Sequence, residues 1–310
     1  MRAAQLKKRP RHLRSFTGLS VVQFEELVAA LGTEVSRDQR GDRLRQRAVG
    51  GGRKAKLELE DQLVVTLMYY RLYLTQVLLG YLFDLDDSNV SRVITRLCPL
   101  LLGVLPLPVQ ETLLFANDGL SRGKRIATLD ELLQKHPEFK EVLIDATEQE
   151  TYKPKDKAKR KTHYSGKKKR HTLKTQLTTS RKGLLLHVSR SIAGRVNDLT
   201  LLRGSGVLRE LPVHLLVRLD RGYDGISQDY PDRVFHQPYK ARRNKPLDLV
   251  QKWANQLHNR YRAPVENALA HLKRFKLLAG IYRGPERSYD NTFLVISGLH
   301  NFRKLNALSW

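Results

Sequence analysis

One cysteine, Cys98, is all that a chain of 310 residues contains. A lone thiol excludes an intrachain disulfide and any cysteine-based zinc cluster. No apolar run approaches the roughly eighteen residues of a membrane span. The basic segment Met1–Arg14 lacks the apolar core of a signal peptide, so the chain is expected in the cytosol with no membrane partner. Nor does a Gly-Lys-Ser/Thr follow the triplet Gly50-Gly51-Gly52, which argues against a phosphate-cradling loop. Acids are scarce as well: 31 Asp and Glu face 56 Lys and Arg, leaving a net charge of +25. That excess is far beyond what solubility requires and predicts a polyanionic partner.

The length allows two domains with real cores. The most telling stretch is Glu141-Val142-Leu143-Ile144-Asp145-Ala146-Thr147, an aliphatic run leading into an acid. Such a run reads as a strand buried on both faces, with Asp145 at its inner end. A bare charge there is costly unless something pairs with it. By itself this could equally be a capped strand end or a turn aspartate. The device recurs, however, in Val213–Asp220, followed by Arg221-Gly222-Tyr223-Asp224-Gly225. A third acid, Glu266, follows Pro264 near an expected helix start, with Val265, Leu269, Leu272 and Phe275 at helical spacing. Two strand-end aspartates and one helical glutamate suit a divalent metal, because hard cations such as magnesium take carboxylate oxygens plus water.

Residues 1–56 yield one short amphipathic helix (Leu19, Val22, Phe24, Leu27, Val28, Leu31), capped by Ser20 and stopped by Gly32. A charged, glycine-rich linker follows from Arg37 to Lys56. Residues 57–102 read as three helices. The first runs from Leu59 to about Tyr73, Thr75 caps the second over Gln76 to Phe83, and Ser88 begins the third. Val90, Val93, Ile94 and Leu97 face inward on that third helix, while Asn89, Ser91, Arg92, Thr95 and Arg96 face out. This is the layout of a helix-turn-helix DNA reader, and equally of a plain helical bundle; the charge balance favours DNA. A proline-punctuated connector occupies 103–138 and includes a short helix over Thr128–Leu133.

Residues 139–310 form the second domain. Just past Asp145 comes the densest charge run: Lys153, Lys155, Lys157, Lys159, Arg160, Lys161, then Lys167, Lys168, Lys169 and Arg170. It reads as a solvated loop placed where a phosphodiester would lie, with Tyr152, His163 and Tyr164 available to stack. His171–Thr178 alternates as a half-exposed strand, and Arg181-Lys182-Gly183 turns the chain into a strand at Leu184–Ser189. Asn197-Asp198 caps a helix to Leu211, and a further strand lies near Val234-Phe235. The order gives a mixed α/β domain. Glu148 reads as a surface residue or as a group supporting Asp145, Asp224 lies past the glycine turn rather than at the strand's end, and Asp198 reads as a helix cap. His163, His171 and His187 lack zinc-ligand spacing and read as solvent-facing or DNA-facing.

Asp145, Asp220 and Glu266 in this arrangement resemble the DDE triad of insertion-sequence transposases, most closely the IS5 family with an N-terminal helix-turn-helix. The stretches carrying the resemblance are Leu59–Leu63 through Val90–Ile94, Ile144–Glu148, Tyr164–His171, Asp220–Tyr223, and Val265–Ala268 through Leu272-Lys273. Arg262 and Lys273 match the family's Arg-x₃-Glu-x₆-Lys, whereas Asn259 stands where its tyrosine would be. The resemblance implies an RNase H-like core, two magnesium ions (manganese as substitute) on Asp145, Asp220 and Glu266, and phosphates gripped by Arg262 and Lys273. It further implies hydrolysis at the element's ends, transfer of the freed 3′-hydroxyl into target DNA, and a dimer or higher assembly on paired terminal inverted repeats, associated with a prokaryotic nucleoid. A DNA-binding regulator with an inactive nuclease fold and an endonuclease without strand transfer are the alternatives.

Overall fold

A computed structural model describes residues 1–41, 55–108 and 140–308, apart from 242 and 244. The Gly50–Gly52 triplet and the helix expected over Thr128–Leu133 lie outside them. Three helices precede the expected helical set: α1 (Ala3–Lys7), α2 (Pro10–Thr17) and α3 (Val21–Gly41). Ser20 does start α3, through a reciprocal pair in which Gln23 N donates to Ser20 Oγ at 3.2 Å and Ser20 N to Gln23 Oε1 at 3.1 Å. Gly32 does not stop it, because the apolar stripe Phe24, Leu27 and Leu31 is already anchored in the core. Val22, expected on that stripe, is exposed. α2 is barely two turns long, too short for apolar spacing to mark it, although Pro10 opens it and Gly18 follows it at φ +85°.

α4 (Leu59–Leu72), α5 (Gln76–Phe83) and α6 (Asp87–Val104) stand where apolar spacing put them. Thr75 caps α5 by accepting from Leu78 N at 3.2 Å. α4 is buried almost all round, and its Asp61 accepts from Ala3 N at 2.7 Å and Arg2 Nη1 at 2.9 Å. The N-terminal segment is thereby docked onto α4.

The sheet comprises β1 (Glu141–Glu150), β2 (Tyr164–Ser165), β3 (Arg170–Ser180), β4 (Leu185–Val188), β5 (Ile192–Ala193), β6 (Leu216–Arg218) and β7 (Phe235–His236). Its order is β2-β3-β1-β6-β7, with β4 and β5 also paired to β3. β1 runs antiparallel to β3 and parallel to β6, which is parallel to β7. Short helices α7 (Lys157–His163), α8 (Asp198–Gly204), α9 (Val207–Glu210) and α10 (Ile226–Asp229) lie between strands. The chain then forms α11 (Leu249–Leu272), α12 (Lys276–Ala279) and α13 (Tyr289–Leu308). This is the expected class, a mixed α/β fold behind a helical region.

Three local expectations change. β3 is buried from Thr172 to Ser180 rather than alternately exposed, since α11 covers one face and α8 the other. The helix expected from Asn197 to Leu211 breaks at Gly206, which adopts φ +67°. α11 begins at Asp248, where a capping box with Gln251 supplies the start, so Pro264 is inside the helix and Glu266 lies near its end.

Two apolar cores hold the sheet. One joins α1–α6 to α11–α13 through Leu173, Leu177, Leu185 and Val188, so the helical region and the sheet share it. The other unites Val142 and Ile144 of β1 with Leu202, Leu208, Val217 and Tyr223. Strand alternation therefore turns Asp145, like Leu143, away from the second core and towards α11.

Two buried histidines make the fold acid-sensitive. Among the described residues His187 has no partner at either ring nitrogen, and His300 pairs with Gly183 O at 2.8 Å. Burial pushes each imidazole down to about 4. Unfolded histidine titrates near 6.5, so the unfolded chain binds more protons between those values. The stability from neutral burial is complete above about pH 6.5 and is lost as pH falls towards 4. The loss expected is on the order of 2 kcal/mol per histidine by pH 5. Thermal melts at pH 7 and pH 5 check this: His187→Leu should show a smaller drop than wild type, and an equal drop would refute the assignment.

Candidate active site and nucleic-acid surfaces

Parallel pairing sets the site. Leu143 of β1 registers with Arg218 of β6, so two residues further along each chain Asp145 and Asp220 come side by side. Asp145 is mid-strand rather than at a strand end, because β1 continues in register with β3 as far as Glu150↔Thr172. Asp220 follows β6 and accepts from Arg221 N at 2.6 Å, capping a 3₁₀ turn over Arg221–Tyr223. Here the sequence expectation of a strand-end acid holds.

Arg262 joins the two acids. Its Nη2 donates to Asp145 Oδ2 at 3.0 Å, and its Nη1 lies 3.4 Å from Asp220 Oδ1. Asp145 also accepts from Ala146 N at 2.8 Å. Burial raises the Asp145 carboxyl above its ordinary range, while the Arg262 charge and the Ala146 amide oppose that rise. Arg262, expected to grip phosphates beside the site, has a side chain only 8% exposed, and its guanidinium is turned in to the two acids. Only helix orientation could reveal this, and it is set by His258, one turn earlier on α11.

His258 Nε2 contacts Leu219 O at 3.1 Å, and its Nδ1 lies 2.7 Å from His236 Nδ1, the rings stacking at 4.9 Å. A carbonyl can only accept, so neutral His258 carries its proton on Nε2. Burial, reinforced by His236, lowers the His258 pKa to about 4. The pair stays neutral at physiological pH and ties α11 to the residue before Asp220.

Glu266 lies one turn beyond Arg262, exposed, and forms no hydrogen bond or ion pair with another described residue. Among the described residues no three His, Cys, Asp or Glu side chains stand close enough together to hold a metal ion. The geometry gathers two of the three expected acids. Lys273, the C-cap of α11, is exposed; partial desolvation and then Lys168 lower its pKa, against the pull of Asp145 and Glu148.

A second charged group centres on β3. Lys174 of β3 donates to Asp198 Oδ1 at 2.9 Å and Val196 O at 2.7 Å, and lies 3.4 Å from Glu148 Oε1. Lys174 and Glu148 are each only 7% exposed, so Glu148 is no surface acid. Asn197, not Asp198, caps α8 by accepting from Thr200 N at 2.7 Å. The fully buried Tyr223 hydroxyl has no partner among the described residues; burial and then Asp145 and Asp198 hold it strongly protonated. Asp224 pairs with Lys240 on the surface.

The expected DNA-contacting residues fall on two surfaces. Asn89, Ser91, Arg92 and Arg96 lie on α6, where Arg92 Nη1 donates to Asn89 Oδ1 at 2.9 Å and Arg96 donates to Gln62. Asn89, Arg92 and Arg96 line a cavity of about 930 Å³ together with Lys56 and Tyr81. Lys167, Lys168 and Lys169 are exposed in the β2–β3 turn, and Arg170 pairs with Glu150 at 2.7 Å. The histidines depart from expectation: His187 is buried, His163 is buried against Lys159 O and Glu286, and His171 is half-buried against Tyr164. No helix among the described residues is long and apolar enough to cross a membrane.

Two known families match the chain. Residues 144–301 match the family described as DDE superfamily endonuclease, and residues 55–106 match the helix-turn-helix of DDE superfamily endonuclease. The chain is 32% identical to the "Probable transposase for insertion sequence element IS702" of Microchaete diplosiphon over 253 residues, 81% of this chain and 83% of that one. It is 27% identical, over 94% of each chain, to a protein named for insertion sequence element IS112 of Streptomyces albus G. No solved structure matches.

Proposed function

Since the chain belongs to the DDE superfamily endonucleases of insertion-sequence transposases, we propose that it hydrolyses phosphodiesters at the ends of its element and transfers the freed 3′-hydroxyl into target DNA. The observation that carries this reading is the convergence of Asp145 and Asp220 on one buried guanidinium. The helix-turn-helix would hold the terminal repeat through Asn89, Ser91, Arg92 and Arg96. Lys167, Lys168, Lys169 and Arg170 would hold flanking phosphates. Paired ends would require at least two copies.

The donor set suits a divalent metal. Asp145 and Asp220 offer hard oxygen ligands, and the partly desolvated Asp145 carboxyl sits where added positive charge is favoured. Magnesium, with manganese as substitute, would be held by these two acids, and Glu266 would complete the set from the next turn of α11. Such ions activate an attacking oxygen and stabilise a leaving one in an in-line displacement. Everything else falls to the chain. Arg262 keeps the two carboxylates apart in orientation yet adjacent, His258 fixes α11 against the Asp220 strand end, and Lys273 supplies a cation at the helix end. The chain's contribution is mainly alignment.

The test uses a duplex carrying the inverted repeat that flanks the gene. With magnesium, nicking at the repeat end and joining of a pre-nicked 3′-hydroxyl end to plasmid are expected; with EDTA, both should vanish while binding persists. Binding without metal-dependent cutting would leave only a DNA-binding regulator. Cutting without joining would leave an endonuclease.

A further inference from the structure

A cavity of about 630 Å³ opens between α7 and the β2–β3 hairpin, lined by Arg160, Lys161, Tyr164, Gly166, His171 and Arg195. Three of its six residues are arginine or lysine side chains that form no ion pair with an acid among the described residues. Arg160 donates to backbone carbonyls, from Nε to Pro154 O at 2.7 Å and from Nη2 to Lys155 O at 2.9 Å, which orders it without cancelling its charge. Among the described residues Lys161 and Arg195 form no ion pair and are exposed. The wall also carries an aromatic platform. Tyr164 and His171 are a cross-strand pair with ring centroids 5.6 Å apart at 72°, and Tyr164 is 42% exposed.

One glycine beside this pocket and one in its lining differ in what the fold asks of them. Gly194, beside Arg195, is required by the fold, because a Cβ there would lie 1.8 Å from Thr172 Oγ1. Gly166 is not: its φ is not left-handed, and a Cβ would meet nothing within 4 Å. A glycine that its own chain does not demand leaves the rim bare for something that comes close to the backbone.

We propose that this cavity is a nucleotide subsite, taking one unstacked base of the bound DNA against Tyr164 and His171 and its phosphate against Arg160, Lys161 and Arg195. The proposal rests on the DNA-end reading above. Cations alone would suit a duplex backbone passing by; an open hollow that adds an exposed ring to them suits a base turned out of the stack. Register gives its position. Leu177 of β3 lies opposite Asp145, and His171 is six residues along that strand. At about 3.4 Å per residue this is roughly 20 Å, or about six nucleotide steps from the cut phosphate.

The experiment places 2-aminopurine, which brightens when unstacked, singly at each position within about nine nucleotides of the cut in the repeat duplex. Full-length protein is added and both anisotropy and emission are read. Emission should rise at one position near the sixth. Tyr164→Ala should abolish that rise and weaken binding about tenfold, in keeping with the loss of one base stack, whereas Tyr164→Phe should retain both. Arg195→Ala should lower the salt dependence of binding by about one ion. Normal binding with no rise at any position overturns the subsite, as does a rise that survives in Tyr164→Ala. Absence of any DNA binding overturns the DNA-end reading itself, and the subsite with it.

Discussion

Asp220→Asn is expected to bind the repeat duplex within threefold of wild type and to cut it at least about 10³-fold more slowly. The lower bound follows from removing one metal-binding charge whose transition-state effect is several kcal/mol, at about 1.4 kcal/mol per decade. Folding should survive, because Asp220 is half exposed and its structural role is to cap the Arg221–Tyr223 turn. Asparagine accepts the same amide bond at a cap. The charge is therefore removed with little else. Glu266→Gln is the informative companion. If Glu266 completes the metal set from its exposed position on α11, its amide should lose cutting to a similar degree. If Asp145 and Asp220 suffice, Glu266→Gln should cut within tenfold of wild type. Filter binding and single-turnover nicking, measured on the same preparations, decide between these. Loss of binding and cutting together in Asp220→Asn would reassign that residue to the fold.

The parts of this site visible in the sequence are those whose signal is local. Val142-Leu143-Ile144 is apolar enough to demand burial whatever surrounds it, and it is wholly buried. The Asp220 strand end is likewise punctuated by its own glycine. What lay beyond reach depends on contacts between distant segments. β3 alternates in sequence, yet tertiary cover from α8 and α11 buries its polar residues too, including Gln176, Thr178 and Lys174. Lys174 gives no sign in sequence that it sits between Glu148 and Asp198, which lie 26 residues before it and 24 after it. The start of α11 was legible and was masked by a louder signal. Asp248 and Gln251 form a capping box, but Pro264 reads as a helix opener. Proline removes one backbone donor, and the buried stripe of His258, Arg262, Val265, Ala268 and Leu272 keeps the helix continuous across it.

Arg262→Met should cost about 3–5 kcal/mol of stability in metal-free buffer, a figure typical of breaking a buried ion pair by removing one partner. Methionine keeps most of the stem volume, so the loss isolates the charge. Without the guanidinium, Asp145 retains only the Ala146 amide and faces Asp220 with no intervening cation. At roughly 2–4 °C per kcal/mol for a chain of this size or slightly smaller, the thermal midpoint should fall by about 6–20 °C. Adding magnesium should recover part of that fall, because an ion held by the native pair and not by the unfolded chain stabilises by mass action. Wild type should respond less, since Arg262 already offsets both carboxylates. The double variant Asp145→Asn/Arg262→Met removes the repulsion together with the cation. It should be more stable than Arg262→Met alone and nearly indifferent to magnesium. A single variant that melts within 2 °C of wild type would mean that the bridge seen between β1, β6 and α11 contributes little. An equal magnesium response in the single and double variants would place the ion elsewhere. Both measurements read the native pair directly, and neither depends on catalysis.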